Sequence, residues 1–212
     1  MTVPRLSDRI LKANSVYRTG ELTKRRAVFL DLNGSLVLPL KQETLGELTL
    51  IEGADEEVGR LSRAGFLCPV VTVQSRISKG YFSADEFLCW SNAFAANVRS
   101  RGAEIVGPYV CPHRFREPCK CKKPATFLYE VAAREHAIDL HRSFVIGDSA
   151  DDVRAAQQFG GNGCLVRTGW AEDPRIVERA VPYASYVAES LREAVDWILH
   201  QDGSSDIAAS SR

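Results

Sequence analysis

A chain of 212 residues, 45% hydrophobic and 25% charged, can bury one sizeable core, and nothing in its length calls for a second domain. Its 27 Lys and Arg are matched by 27 Asp and Glu, which excludes a global basic field for gathering nucleic acid or an anionic membrane surface. The N-terminal stretch mixes Arg5, Asp8, Arg9 and Lys12 with apolar residues, leaving no signal-peptide core, and no run reaches the ~18 apolar residues of a membrane span, so the expectation is a soluble, cytoplasmic protein, monomeric by default.

Residues 1–24 have weak periodicity and read as an N-terminal extension. From there "AVFLDL" reads as a buried strand, and "GADEEVGRLSRAG" as a helix with acids in its first turn and Gly65 as its stop. "FLCPVVTV" is a second strand, whose Pro69 places its start at a sheet edge or just outside the ladder. "SADEFLCWSNAFAANVRSRG" opens with Ser83 and Glu86 at capping-box spacing and closes at Gly102, which predicts a long helix. "AEIVGPYV" follows as a strand, then a helix from about Ala125 to His136, the strand "SFVIGD", a helix from about Asp151 to Phe159 and the strand "GCLVRTG". "SLREAVDWIL" closes the pattern as an amphipathic helix, and the small polar residues of "QDGSSDIAASSR" predict a flexible tail over 203–212. One domain over 25–202 is therefore expected. The strand–helix alternation implies an α/β fold, with a parallel sheet covered by helices on both faces and ligands outside the carboxyl ends of the strands.

Two strand ends carry acids. Asp31 finishes the first strand and is followed by Asn33 and Gly34, while Asp148 finishes "SFVIGD". In a parallel sheet both carboxylates arrive at the same edge, where they can share a hard divalent cation such as Mg²⁺. A single strand-end aspartate as often caps the next helix; two that converge weaken that reading. Of Asp151 and Asp152, one is expected to reach the metal and the other to cap the helix. "TVQS" brings Thr72, Val73, Gln74 and Ser75 to the same crevice, as hydroxyl and amide donors for a phosphate oxygen. Lys122 and Lys123, just ahead of Pro124 and a helix start, add cationic charge, although paired lysines are more commonly solvated surface.

Six cysteines do not form a secreted-type framework, and Cys68, Cys89 and Cys164 read as core residues. "CPHRFREPCKC" is different. Cys111, His113, Cys119 and Cys121 make Cys-x-His-x5-Cys-x-Cys, enough for a closed tetrahedral Zn²⁺ site of structural type. Free thiols or a redox pair are the alternative.

With "FLDLNGS", "VVTVQSRISKGYFS", "CPHRFREPCKCKKP" and "VIGDSADD" in order, the chain from about Arg26 to Gly169 resembles the haloacid dehalogenase superfamily of phosphatases. Within it the resemblance is to the branch of D-glycero-D-manno-heptose 1,7-bisphosphate and histidinol-phosphate phosphatases. It implies a three-layer α/β/α Rossmann-like fold with a zinc-binding loop, and Asp31 as a nucleophile forming an aspartyl-phosphate on a small sugar phosphate. It further implies Mg²⁺ held by Asp31, the residue 33 carbonyl and Asp148, Lys123 steadying the phosphoryl group, Thr72 donating to it and Lys122, in place of the usual arginine, touching substrate. Four further positions depart from the pattern. Asn33 stands where the family has its general acid/base aspartate, Val73 replaces an asparagine, Arg76 a glycine and Ser149 a lysine. Asn33 is compatible with a weakened phosphatase, with an Asp-to-Asn substitution that traps substrate, and with a phosphosugar-binding protein lacking turnover; the first is the reading adopted.

Overall fold

The first strand, β1 (Val28–Leu30), is completely buried, and its side chains alternate between two cores. Val28 and Leu30 face the core that holds Leu61 and Ile198, whereas Phe29 faces the other, with its ring centroid 5.1 Å from that of Tyr129. The computed structural model that shows this describes residues 24–209, with side chains to residue 201. Around β1 the chain adds β2 (Val37–Leu38), β3 (Thr49–Leu50), helix α1 (Ala54–Arg63), β4 (Pro69–Val73) and the short α2 (Ser75–Ser78). Then come α3 (Ala84–Ser100), β5 (Val106–Cys111), α4 (Phe127–His136), β6 (Phe144–Gly147) and α5 (Ala150–Phe159). The order ends with β7 (Asn162–Val166), α6 (Pro174–Ala180), β8 (Tyr186–Ala188) and α7 (Leu191–Ala209).

Six strands form one sheet in the order β5-β4-β1-β6-β7-β8, and every neighbouring pair is parallel. Helices α1, α3 and α7 cover one face and α4 and α5 the other, giving the three-layer α/β/α arrangement expected. Because β1 is flanked by β4 on one side and β6 on the other, the chain order reverses there. The carboxyl ends of β1, β4 and β6 then open a crevice at one edge.

The capping box of α3 is present as expected: Ser83 Oγ accepts from Glu86 N at 3.1 Å, and a Glu86 oxygen accepts from Ser83 N at 2.7 Å. Pro69 departs from its expected place, since β4 is an interior strand. It is the first residue of β4, paired with Val106, and the register shifts between Pro69 and Val71, which accommodates the missing N–H. Cys68 and Cys164 are buried as expected, but Cys89 is exposed. It sits two residues from buried Phe87, a step of about 200° around a helix, and so faces outward.

Residues 34–52, between the first strand and α1, contain the antiparallel β2–β3 pair. Helix α7 continues in backbone to Ala209, past the tail boundary expected at 203, since each added helical residue gains a hydrogen bond that Gly and Ser weaken without abolishing. The N-terminal extension over 1–23 and residues 210–212 lie outside the described residues. No described helix is long and apolar enough to cross a membrane.

Candidate active site

Asp31 leaves β1 with its N–H still in the ladder, donating to Ile146 O at 2.9 Å. Asp148 leaves β6 at the same edge, and Asp152 projects from the first turn of α5. The three residues offer carboxylate oxygens that all lie within 4.8 Å of one another. All three acids are buried, as is Lys123, which is 6% exposed. Lys123 Nζ donates to Asp31 Oδ1 at 2.5 Å and to Asp152 Oδ1 at 2.6 Å. Ser149 Oγ donates to Asp152 Oδ2 at 2.5 Å, and the Trp170 N–H to Asp148 Oδ2 at 2.7 Å.

Among the described residues the charges of this cluster do not balance. One ammonium faces three carboxylates, and the acids respond: burial, reinforced by Asp31 and Asp152, pushes Asp148 up to about 8. Burial also pushes Asp31 up to about 6, against the pull of Lys123 and with a further push from Asp152. Burial acts to lower Lys123, but Asp152 and Asp31 outweigh it and hold the ammonium well above its ordinary value. A divalent cation among the three oxygens would neutralise the excess, and an all-carboxylate donor set suits a hard ion such as Mg²⁺. The residues present therefore fit the metal. Two glycines allow the crowding: a Cβ on Gly34, at φ +92°, would lie 2.0 Å from Asp148 Oδ2, and one on Gly169, at φ +56°, 2.2 Å from the same atom.

Of the two acids after Asp148, Asp152 is the one brought into the site. Asp151 is partly exposed, 3.9 Å from Arg154, and does not cap α5, whose N-cap residue is Ser149. Thr72 is buried at the end of β4, its Oγ1 accepting from Gln74 Nε2 at 3.0 Å, which leaves the hydroxyl hydrogen for an acceptor in the crevice. Val73 packs on the core beneath, and Ser75 begins α2. Asn33 is held by amides: Gln74 Nε2 donates to its Oδ1 at 2.7 Å, and its Nδ2 donates to Pro39 O at 3.1 Å and Gln42 Oε1 at 3.4 Å. Lys122 does not take the substrate-facing place expected of it. Its Nζ donates to the carbonyls of Arg114, Phe115 and Glu117, tying the preceding loop together.

That loop carries the second cluster. Cys111 ends β5, and Cys111, His113, Cys119 and Cys121 offer ligand atoms within 4.8 Å of one another. Cys111 Sγ is 3.7 Å from Cys119 Sγ and 3.6 Å from His113 Nδ1, and Cys121 Sγ is 3.2 Å from His113 Nδ1. A regular tetrahedron with Zn–S bonds of about 2.3 Å has edges of about 3.8 Å, close to these separations. His113 Nε2, on the far side of the ring, lies 3.9 Å from Glu117 Oε1, the kind of carboxylate that orients a metal-bound imidazole. Burial raises Cys111 and Cys121, whereas at Cys119 the N–H donors of Lys122 and Cys121 outweigh burial and lower it. All six cysteines are free.

Gln42 and Trp170 are absent from the sequence-derived site. Trp170 contributes only a backbone N–H, which leaves no trace in residue type. Gln42 is a glutamine among polar loop residues, and its complete burial is set by the fold.

A family model described as "HAD-hyrolase-like" matches residues 120–194, the stretch that contains Lys123, Asp148 and Asp152. The D-glycero-beta-D-manno-heptose-1,7-bisphosphate 7-phosphatase of Pasteurella multocida is 32% identical over 177 residues, covering 80% of this chain and 94% of that protein. The enzyme of the same name from Vibrio cholerae is 33% identical over 184 residues, covering 82% and 96%. In fold the chain is similar to the crystal structure of D,D-heptose 1,7-bisphosphate phosphatase from B. bronchiseptica complexed with magnesium and phosphate, with a TM-score of 0.75, 24% identity, and coverage of 83% of this chain and 99% of that one.

Proposed function

Since this chain belongs to the haloacid dehalogenase-like hydrolases and is a phosphatase, we propose that it hydrolyses a small sugar phosphate of the heptose 1,7-bisphosphate class through an aspartyl-phosphate on Asp31. The observation that carries this reading is the buried excess of carboxylate around a single ammonium, at the edge where three strands end. Mg²⁺ would be held by Asp31, Asp148 and the Asn33 carbonyl, with Asp152 near enough to act directly or through water, and would supply charge neutralisation for the phosphoryl oxygens.

The chain's own groups do the rest. The Asp31 carboxylate attacks phosphorus, the bond to the sugar oxygen breaks, and water later cleaves the acyl phosphate to return Asp31 and free phosphate. Lys123, fixed between Asp31 and Asp152, stays charged and faces the equatorial oxygens, and Thr72 donates to one of them. Asn33 cannot exchange a proton at neutral pH, and loss of general acid-base help typically costs about 10²- to 10⁴-fold. A weakened enzyme is the consequence. The names of the relatives support the heptose bisphosphate class.

The test is phosphate release from D-glycero-D-manno-heptose 1,7-bisphosphate with and without Mg²⁺. Release that requires Mg²⁺ and stops with EDTA is expected; saturable binding with no release from this sugar or from an aryl phosphate would instead favour the binding-protein reading.

We further assign Zn²⁺ to Cys111, His113, Cys119 and Cys121 as a structural ion that fixes the path of the chain into Lys123, two residues beyond Cys121. Elemental analysis of purified protein should give about one zinc per chain. Stripping it should lower the melting temperature and raise KM more than it lowers kcat, because four protein ligands leave no position for a reactive water. Protein that is fully folded and active with no bound zinc would remove the assignment.

A further inference from the structure

Asn33, Gln42 and Gln74 form a closed ring of carboxamides. Asn33 Nδ2 donates to Gln42 Oε1 at 3.4 Å, Gln42 Nε2 to Gln74 Oε1 at 3.3 Å, and Gln74 Nε2 back to Asn33 Oδ1 at 2.7 Å. The direction of the ring is fixed from outside, because Asn33 Nδ2 also faces the Pro39 carbonyl at 3.1 Å, and only a nitrogen can sit there. Gln42 and Gln74 are 1% and 2% exposed, so water does not substitute for a missing partner.

A carboxylate at position 33 could not belong to this ring. Each of its three edges needs one donor, and with an acid at one corner only two amide groups remain to supply them. Turning Gln42 over to face the acid sets its oxygen against Gln74 Oε1; turning Gln74 as well sets that oxygen against the acid. One oxygen–oxygen contact always survives, and the Pro39 carbonyl adds another. Residue 33 is thus seated as an amide, with both hydrogens and its oxygen committed.

We propose that Gln42 is a positioning residue that, with Gln74, locks residue 33 out of proton transfer, so that the site turns over an alkyl sugar phosphate slowly and a phosphate whose leaving oxygen is a weak base faster. The proposal rests on the phosphatase reading above. In that chemistry the Asp31 carboxylate forms the new P–O bond, the leaving oxygen departs with the electron pair of the broken bond, and its proton comes from water rather than from residue 33. An aryl or acyl leaving group tolerates this better than an alkyl one.

The experiment uses four full-length proteins: the parent, Asn33→Asp, Gln42→Met and the double variant. Melting temperature is measured for each, together with Mg²⁺-dependent turnover of 4-nitrophenyl phosphate and of a hexose 6-phosphate. Asn33→Asp alone should lower the melting temperature by about 5 °C, in line with a buried polar group left without its partner, and gain less than about tenfold on the alkyl ester. In the Gln42→Met background, where no side-chain oxygen at position 42 opposes the new acid and only the Pro39 carbonyl still does, the same change should lower it by about half as much. There it should also raise alkyl turnover by about 10²-fold, leaving the aryl ester within a few-fold, a split that a purely structural role for Gln42 would not produce. Additive melting shifts, or a 10²-fold alkyl gain from Asn33→Asp alone, overturn the proposal. Failure of all four proteins to release phosphate from either ester overturns the phosphatase chemistry instead, and the melting cycle still decides on the ring.

Discussion

Asp31→Asn should abolish phosphate release, lowering kcat by about 10⁴-fold or more, while the protein remains folded. The size of the effect follows from removing the nucleophile itself rather than a group that assists it. The fold should survive because the side chains are isosteric and because the acid is not there for stability. Burial raises Asp31 from its ordinary value of 3.8 to about 6, outweighing its contact with Lys123. A carboxyl raised on folding contributes fully below its unfolded value and loses that contribution as pH rises through its folded value. Metal-free parent protein should therefore lose stability relative to Asp31→Asn between about pH 4 and pH 6, and the variant should melt at the same or a higher temperature at pH 7. Mg²⁺ should raise the melting temperature of the parent more than that of the variant, which has one ligand fewer. Calorimetry and a phosphate assay on the same two proteins check both halves. Turnover within tenfold of the parent would remove Asp31 from the chemistry.

The parts of this site that are legible in the sequence are those whose meaning is local. The Cys111 to Cys121 spacing brings four ligands together within one loop, so the cluster hardly depends on the rest of the fold. Asp31 and Asp148 are legible for a different reason, since a continuous apolar run marks a strand buried on both faces, and parallel strands must end at one edge. The failures lie where a residue's role is decided by what folds onto it. Lys122 has the sequence context of an anion contact, yet three carbonyls of the loop between His113 and Cys119 curl back over its ammonium. Asp151 and Asp152 are adjacent and chemically identical, and only the pitch of α5 turns one inward to Lys123 and the other toward solvent. Gln42 becomes part of the site because the β2–β3 segment lays it against Gln74, thirty-two positions away, and β2 and β3, two residues each, are too short to show a period. Strand β8 is three residues long and only its last side chain is buried, so it too offers little pattern.

Lys123→Met should be the change that most lowers stability, and it should lower activity as well. The ammonium is 6% exposed and bonded to two buried carboxylates, so a side chain of similar length without charge leaves Asp31, Asp148 and Asp152 with no paired cation among the described residues. Breaking a buried ion pair by deleting one member typically costs about 3–5 kcal/mol. For a domain of this size each kcal/mol moves the melting temperature by about 2–4 °C, so a drop of about 6–20 °C is expected. Turnover should fall by about 10²- to 10³-fold or more, the usual consequence of removing a preorganised donor from the charge that develops in a transition state. Lys123→Arg should not rescue either property: the guanidinium is broader than the space between Asp31 Oδ1 and Asp152 Oδ1 was built for, and it presents a planar fork where the site holds a point charge. Mg²⁺ separates the two losses. Saturating metal supplies positive charge to the acids and should recover part of the melting temperature of Lys123→Met, but it cannot replace an ammonium facing the phosphoryl oxygens, so turnover should stay low. Lys122→Met makes the neighbouring control, because its ammonium serves only loop carbonyls; its kcat should stay within about threefold of the parent while zinc is held less tightly. If instead Lys122→Met proved the more inactive of the two, the ammonium facing the substrate would belong to residue 122, and the loop would have to open in solution to release it.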